Sequence, residues 1–490
     1  MTKEKKQRIR FLSNKIGLFA GPTVFLLVYF SAPPEGLTPE AWNVAGVAAM
    51  MSIWWVTEAI PIPATALLPI ILFPVLEVGS VADATSPFAN PLIYLFMGGF
   101  IIALALERTN LHRRMALNIV MLVGTKPSSV IIGFMLSAAF LSMWVSNTAT
   151  AMMMLPIALS IIRLVEREKD ISKGELQTNF GMVMLLCLAY ACNVGGIGTL
   201  IGTPPNALMA GYMLDNYGVD IGFAQWMMLG IPIVIIALPL VYVMLTKVLY
   251  PIKIKEIPGG DDVIKEELES AGPMTREEKM VAVVFVATAT LWIIRPLLED
   301  IIPNISDTGI AIAGAVLMFM LPINFRKFEF VLNWDDAKRL PWEVLILFGG
   351  GLSLAAAITS TGLAEWIGTS ISHLDFIPIF VLLLISLTII IFLTEITSNT
   401  ATAAAFLPIL ASVAIMMGYD PMVLAIPAAI GASCAFMLPV ATPPNAIVYG
   451  SGLVSIPQMA RAGFALNLIM VGVITVAIYL MMGFVFGVEL

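Results

Sequence analysis

The sequence predicts an all-α polytopic membrane protein with about 11 transmembrane helices and two re-entrant helical hairpins, arranged as two inverted-topology repeats. Three observations carry that expectation. Of the 490 residues, 59% are hydrophobic and only 12% are charged, whereas a soluble domain carries about a quarter charged residues. Almost every apolar run approaches the roughly 20 residues that a helix needs to cross a bilayer, and none has the short alternating pattern of an outer-membrane barrel. Finally, SNTAT occurs at residues 146–150 and again at 398–402, and TPPNA occurs at 203–207 and again at 442–446.

The formal charge of −7 points to no partner, because the acids lie mostly in polar loops and no basic stripe suits nucleic acid. Cys187, Cys192 and Cys434 all fall in apolar segments, as small core residues do, and form no disulfide or metal-ligand spacing. The N-terminus, MTKEKKQRIR, is basic. The apolar stretch at 16–32 lacks a small-residue cleavage site after it, so it is expected to be a retained span rather than a signal peptide.

Lys and Arg cluster at 3–15, 108–126, 163–173, 247–279 and 326–339. Short basic loops stay cytoplasmic, so an even number of crossings must separate consecutive clusters. Runs 16–32, 42–57, 64–76 and 91–106 supply four, with EAIPIPA breaking the second from the third. Residues 128–164 form two apolar legs with SNTAT at their turn and return to the inside. Runs 180–213 and 223–249 cross twice, and 279–298 and 308–322 twice more. Residues 342–360 then run outward, so the second SNTAT hairpin, 376–417, opens from the outside. Runs 421–449 and 464–488 complete the chain, placing the N-terminus inside and the C-terminus outside. Residues 1–15 are thus a cytoplasmic tail, 16–249 the first span and first repeat, 250–279 a solvated cytoplasmic linker with a short helix, and 280–490 the second repeat.

Internal register supports two repeats. WVSNTATAMMMLPIALSI aligns with ITSNTATAAAFLPILASV, and LFMGGFIIALALERTNL with LFGGGLSLAAAITSTGL, both at an offset of 252 residues (146 to 398 and 95 to 347). The TPPNA copies lie 239 apart, so the order is kept while one loop shortens.

Unpaired backbone groups are costly in hydrocarbon, so a turn at membrane depth must be wrapped by protein or water. Ser, Asn and Thr cap the free amides of the helix that begins there, and its N-terminus carries about half a positive charge. Each SNT tip is therefore an anion site that needs no arginine. The paired prolines after Thr203 and Thr442 must interrupt their helices, exposing carbonyls that suit a small hard cation such as sodium. A dianion held without Lys or Arg needs accompanying cations, and two matched sites predict at least two, binding first.

Other residues are ambiguous. Glu395, in TEITSNT, is an intramembrane carboxylate that could hold a proton or serve as a hydrogen-bonding strut, and its counterpart in the first half is Met143. Glu58 and Glu343 are expected to cap or lie at the interface, His112 and His373 to be solvated, and Trp54, Trp55 and Trp342 to sit at the membrane surface. A membrane-embedded hydrolase would need a base beside its serine, and no His lies in either motif.

Paired SNT motifs, paired TPPN motifs and IWWVTEAIPIPATALLP at 53–69 resemble the divalent anion/sodium symporter family, the INDY-type sodium-coupled dicarboxylate carriers. The resemblance covers 11–490, and the bacterial sodium-dependent dicarboxylate symporters fit it best. It implies a homodimer of scaffold and transport domains that works as an elevator. This carrier would symport C4 dicarboxylates such as succinate, malate or fumarate with sodium across the bacterial cytoplasmic membrane, and would not be an enzyme. Proton coupling, or exchange of one dicarboxylate for another, stays open on the same scaffold. By motif, the substrate carboxylates would be held by Ser146, Asn147, Thr148, Ser398, Asn399 and Thr400, and by Thr203, Pro204, Thr442 and Pro443 at the breaks. The first sodium would lie at Ser142, Ser146, Asn147 and Gly202, and the second at Thr394, Thr397, Asn399 and Ala441. Thr397 stands where some relatives have alanine, which is harmless if the ligand is its carbonyl.

Overall fold

The structure is a computed structural model, described here for residues 3–124, 126–167, 178–252, 254, 260–371 and 377–488. The second half of helix α1 (Lys3–Tyr29) pairs with α2 (Pro39–Thr57). Thr38 caps α2 through the Ala41 amide, and the helix ends at Glu58, whose φ of +48° stops propagation. The predicted EAIPIPA break is present, because Pro61 and Pro63 remove helix donors. Short helices α3 (Ile62–Thr65) and α4 (Leu68–Val75) follow. Trp55 is 1% exposed and donates its indole N–H to Ile62 O across this bend, so it is a core residue rather than an interface anchor. Trp54 is bonded to Gly17 O, where α1 comes close, and only Trp342 remains substantially exposed.

After α5 (Val81–Thr85) and a 3-10 turn come α6 (Pro91–Arg108) and the amphipathic α7 (Leu111–Val123). The first hairpin is α8 (Pro127–Ser142) with α9 (Asn147–Arg167), and the first broken helix is α10 (Thr178–Gly196) with α11 (Pro204–Tyr217). Helix α12 (Phe223–Val243) continues as a π turn over Met244–Leu249. Beyond the linker helix α13 (Gly260–Ser270) lie α14 (Arg276–Leu298) and α15 (Asp307–Met320). A small antiparallel ribbon, β1 (Pro322–Asn324) with β2 (Glu329–Phe330), carries the last basic cluster. Its three- and two-residue strands are too short for an apolar run to signal. Then come α16 (Trp334–Ala337), α17 (Trp342–Ser360) and α18 (Leu363–Ile371). The second hairpin is α19 (Ile379–Thr394) with α20 (Asn399–Met416), and the second broken helix is α21 (Met422–Ala432) with α22 (Pro443–Gly450). Helix α23 (Ile456–Phe486) starts eight residues before the expected 464, because Ser455 and Gln458 form a capping box there.

The first legs α8 and α19 are each 16 residues long. At 1.5 Å per residue that is about 24 Å, short of the roughly 30 Å hydrocarbon core, whereas the second legs α9 and α20 are long and apolar enough to cross it. Corresponding helices pack alike: α8 on α10 as α19 on α21, and α9 on α22 as α20 on α11. Each hairpin thus lies against the broken helices of both halves. Helices α10 and α21 are buried nearly throughout, so their broken ends are surrounded by protein rather than lipid.

Two expectations change at the linker. Ile264 is 1% exposed, Arg113 pairs with Glu267, and Arg114 binds Glu278 Oε1 at 2.9 Å together with the Ala271 and Gly272 carbonyls. The segment after α13 is therefore docked on α7 rather than fully solvated, because the α7 arginines need those acceptors. His112 is 7% exposed with Nδ1 at 3.0 Å from Leu106 O, so it is a core histidine, and burial pushes its imidazole below the ordinary range. His373 lies outside the described residues.

Candidate functional site

The hairpin tips begin helices as their sequence requires. Ser146 accepts from the Ala149 amide at 3.2 Å, while Ser398, in extended conformation at the start of α20, makes no side-chain cap bond. At the breaks, Thr203 (φ −148°, ψ 141°) and Thr442 (φ −141°, ψ 150°) precede α11 and α22 in nearly the same conformation. Proline occupies the first helical turn in both, where its missing N–H is not needed. Asn206 ties its break together by donating to Gly196 O and Thr199 O (3.3 and 2.9 Å). Asn445 does the same to Ala435 O and Leu438 O (3.1 Å each), which are the corresponding residues. Close helix approach repeats too. A Cβ on Gly230 of α12 would fall 2.5 Å from Ile197 O, and one on Gly463 of α23 would fall 2.4 Å from Phe436 O.

Each half gathers buried neutral oxygens. In the first, Asn147 Oδ1 is buried with no hydrogen-bond partner among the described residues, and the buried Ser142 hydroxyl lies beside the Cys192 thiol. Gly202 and Gly196 close around the Asn147 amide. A Cβ on Gly196 would lie 2.9 Å from Gly202 O and 3.2 Å from Asn147 Oδ1, and a Cβ on Gly202 would lie 2.4 Å from Gly196 O. In the second, Thr394 Oγ1 stands 2.7 Å from Asn399 Oδ1 and 2.9 Å from Ala432 O. One hydroxyl hydrogen serves three oxygens there. Orphaned acceptors in a dry site carry an unmatched desolvation penalty, which a hard cation coordinated by neutral oxygens removes. The donor set of hydroxyl, amide and carbonyl oxygens without carboxylate suits sodium, and it would destabilise a divalent ion that needs charged ligands.

The structure therefore makes neighbours of Asn147 and Gly202 from the first expected set, and of Thr394 and Asn399 from the second. Ala432 and Gly196 beside them were not anticipated, since a carbonyl leaves no trace in residue type. Thr397 Oγ1 is engaged elsewhere, with Leu393 O and Thr402 Oγ1, leaving its carbonyl as the candidate ligand. Ala441 turns its amide to Leu438 O. Among the residues expected at the substrate, Ser146 is exposed, Asn147, Thr148, Ser398 and Asn399 are partly exposed, and Thr400 is buried. The hydroxyls of Thr203 and Thr442 are buried and reach across to the other half, to Ser433 Oγ (3.2 Å) and Asn193 Nδ2 (3.0 Å). Pro204 stays partly accessible beside them and Pro443 is exposed. Neither Asn193 nor Ser433 was foreseen. A buried polar residue near a break is the one signal that could have found them.

The two tips differ in surroundings. Helix α20 packs on α17, α2 and α18, and a Cβ on Gly351 of α17 would come 3.0 Å from Ala404 Cβ. In α9 the residue corresponding to Ala404 is Met152, which is 54% exposed, and beyond α8, α10 and α22, the equivalents of α19, α21 and α11, α9 packs on the linker helix and on α7.

Comparison with known proteins resolves what kind of machine this is. The pattern described as the sodium:sulfate symporter transmembrane region matches residues 13–488. The chain belongs to that symporter family. This family member is 42% identical, over 99% of its length and 96% of the relative's, to the sodium-dependent dicarboxylate transporter SdcS of Staphylococcus saprophyticus. It is 43% identical to SdcS of Staphylococcus aureus over all of this chain and 95% of that one. Two solved transporters share its fold at low identity. YdaH of Alcanivorax borkumensis superposes with a TM-score of 0.58 at 12% identity, covering 89% of this chain and 98% of that one. MtrF of Neisseria gonorrhoeae gives 0.57 at 14%, covering 96% and 94%. The symporter is thus an all-α polytopic membrane transporter and not an enzyme.

Proposed function

We propose that the protein is a secondary active carrier that symports a C4 dicarboxylate, such as succinate, malate or fumarate, with at least two sodium ions across the bacterial cytoplasmic membrane. One observation carries it. Corresponding residues of the two halves, Ser142 and Asn147 in one and Thr394 and Asn399 in the other, present buried neutral oxygens beside an SNT helix start. Sodium entering these clusters relieves their acceptors, orders the tips, and supplies the charge that a dianion on the neighbouring helix N-termini requires. Ser146, Asn147, Thr148, Ser398, Asn399 and Thr400 then bind the two carboxylates, with Pro204 and Pro443 shaping the space between.

The two halves are read as inverted repeats, with the N-terminus cytoplasmic and the C-terminus external, on the strength of the Lys and Arg clusters. The exposed α9 face and the covered α20 face support a conformation open toward the cytoplasm, since the first hairpin enters from that side. Exchange of these roles between the hairpins, as a transport unit slides along a scaffold built on α2, α6 and α17, is the elevator motion proposed for the cycle, in a homodimer. The test is uptake into proteoliposomes under a sodium gradient alone, a proton gradient alone, or internal dicarboxylate alone. Accumulation driven by sodium is expected. Equal accumulation with choline replacing every alkali ion would refute sodium coupling.

A further inference from the structure

The tips of the two halves are fastened to their breaks by different chemistry. In the first half the fastening is one neutral hydrogen bond, from Thr199 Oγ1 to Met143 O at 2.6 Å. The amides of that break are satisfied within their own turn, Ile197 N by Val194 O and Gly198 N by Gly195 O. The second half has no such arrangement. The residues corresponding to Ile197 and Gly198 are Phe436 and Met437, and their amides point instead at Glu395, which stands where the first half has Met143. Phe436 N donates to Oε1 at 2.6 Å, and Met437 N lies 2.9 Å from both carboxylate oxygens. Asn467 of α23 donates its Nδ2 to Oε1 at 2.9 Å. Glu395 is 3% exposed and Asn467 is fully buried. Successive backbone amides aimed at one anion form a strong, geometrically demanding nest.

Glu395 follows Thr394 directly, and Phe436 lies four residues beyond Ala432. The carboxylate therefore spans the two chain segments whose oxygens make the second cluster, Thr394 and Asn399 on one side and Ala432 on the other. We infer that Glu395, held by Asn467, is a positioning residue that sets the spacing of the second cation site, while Thr199 performs that task for the first. This rests on the sodium-coupled reading above. A carboxylate is required because Met437 N uses both oxygens. A carboxamide offers one acceptor and would turn an N–H toward one of the donors, forcing the break away from the tip.

The purified full-length wild type, Glu395→Gln, Glu395→Asp and Asn467→Ala are compared by two readouts. These are sodium-dependent thermal stabilisation in detergent with no dicarboxylate present, and the sodium dependence of succinate uptake in proteoliposomes. Glu395→Gln is expected to raise the half-saturating sodium concentration at least about tenfold in both, with maximal uptake largely recovered at high sodium. Glu395→Asp should be intermediate, and Asn467→Ala should shift about threefold. A Glu395→Gln protein with wild-type sodium dependence, or with lowered maximal uptake at unchanged sodium dependence, overturns the assignment. Should that variant fail to fold, Asn467→Ala and Glu395→Asp decide by the same sodium shift, and no shift in either overturns it. A wild type that sodium neither stabilises nor drives would refute the transport reading itself, which is a different outcome from unshifted variants of a sodium-dependent wild type.

Discussion

Gly202→Ala tests the first proposed cation site. The new Cβ would sit 2.4 Å from Gly196 O and 2.9 Å from Gly196 Cα, contacts with backbone that no rotamer change relieves. Either the Gly196 carbonyl or the Gly202 peptide must move, and both border Asn147. Overpacking of this kind costs about 1–3 kcal/mol. If the cation-bound state bears that strain, the half-saturating sodium concentration rises by roughly 5- to 150-fold, at 1.4 kcal/mol per tenfold. The second half supplies a control. Its corresponding residue is already Ala441, so Ala441→Gly should change sodium dependence by only about two- to fivefold through chain flexibility. The assay is a sodium titration of dicarboxylate uptake, repeated as a sodium titration of thermal stability. Uptake by Gly202→Ala with unaltered sodium dependence would refute the placement of a cation between Gly202 and Asn147.

Further outcomes follow from the same geometry. Asn147→Ala should abolish uptake while leaving stability without sodium near wild type, because Asn147 Oδ1 has no partner to lose. Asn399→Ala should abolish uptake too, and full transport by both would refute the site. In a background where the buried Cys187, Cys192 and Cys434 are replaced, Gly351→Cys with Ala404→Cys should form a disulfide, since the two Cβ positions are 3.0 Å apart and a separation of about half an ångström more reaches disulfide spacing. Uptake should then stop and return with reductant, and transport through the cross-linked protein would rule out separation of α20 from α17. Arg114→Ala leaves the buried Glu278 with only its Thr275 cap, which should cost about 3 kcal/mol in unfolding free energy measured by denaturant titration. A loss below about 1 kcal/mol would show that the α7 to α14 tie is dispensable.

The helix starts at both SNT motifs and both proline breaks were legible because their causes are local, whereas the starts of α1 and α23 and the separate helix α7 were not. Proline removes a donor at positions 204–205 and 443–444, and SNT starts a helix wherever it stands. Glu395 could be flagged as an isolated carboxylate in an apolar run, but its partners could not, because Phe436, Met437 and Asn467 contribute through position rather than type. The same holds for Trp55, whose apolar neighbours in sequence suit the membrane surface as well as the interior. It is the bend at α3 that turns it inward.

What the chain alone determined was the pattern with a period and a composition: apolar spans, basic loops and duplicated motifs in register, and hence an all-α polytopic transporter. What only folding decided was which carbonyls and amides meet across the halves: Ala432 beside Thr394, Asn193 on Thr442, Thr203 on Ser433, and the fastening of one tip by a hydroxyl and the other by a carboxylate. Every residue carries the same backbone atoms, so their use at a site depends on where the chain brings them, and residue identity cannot encode it.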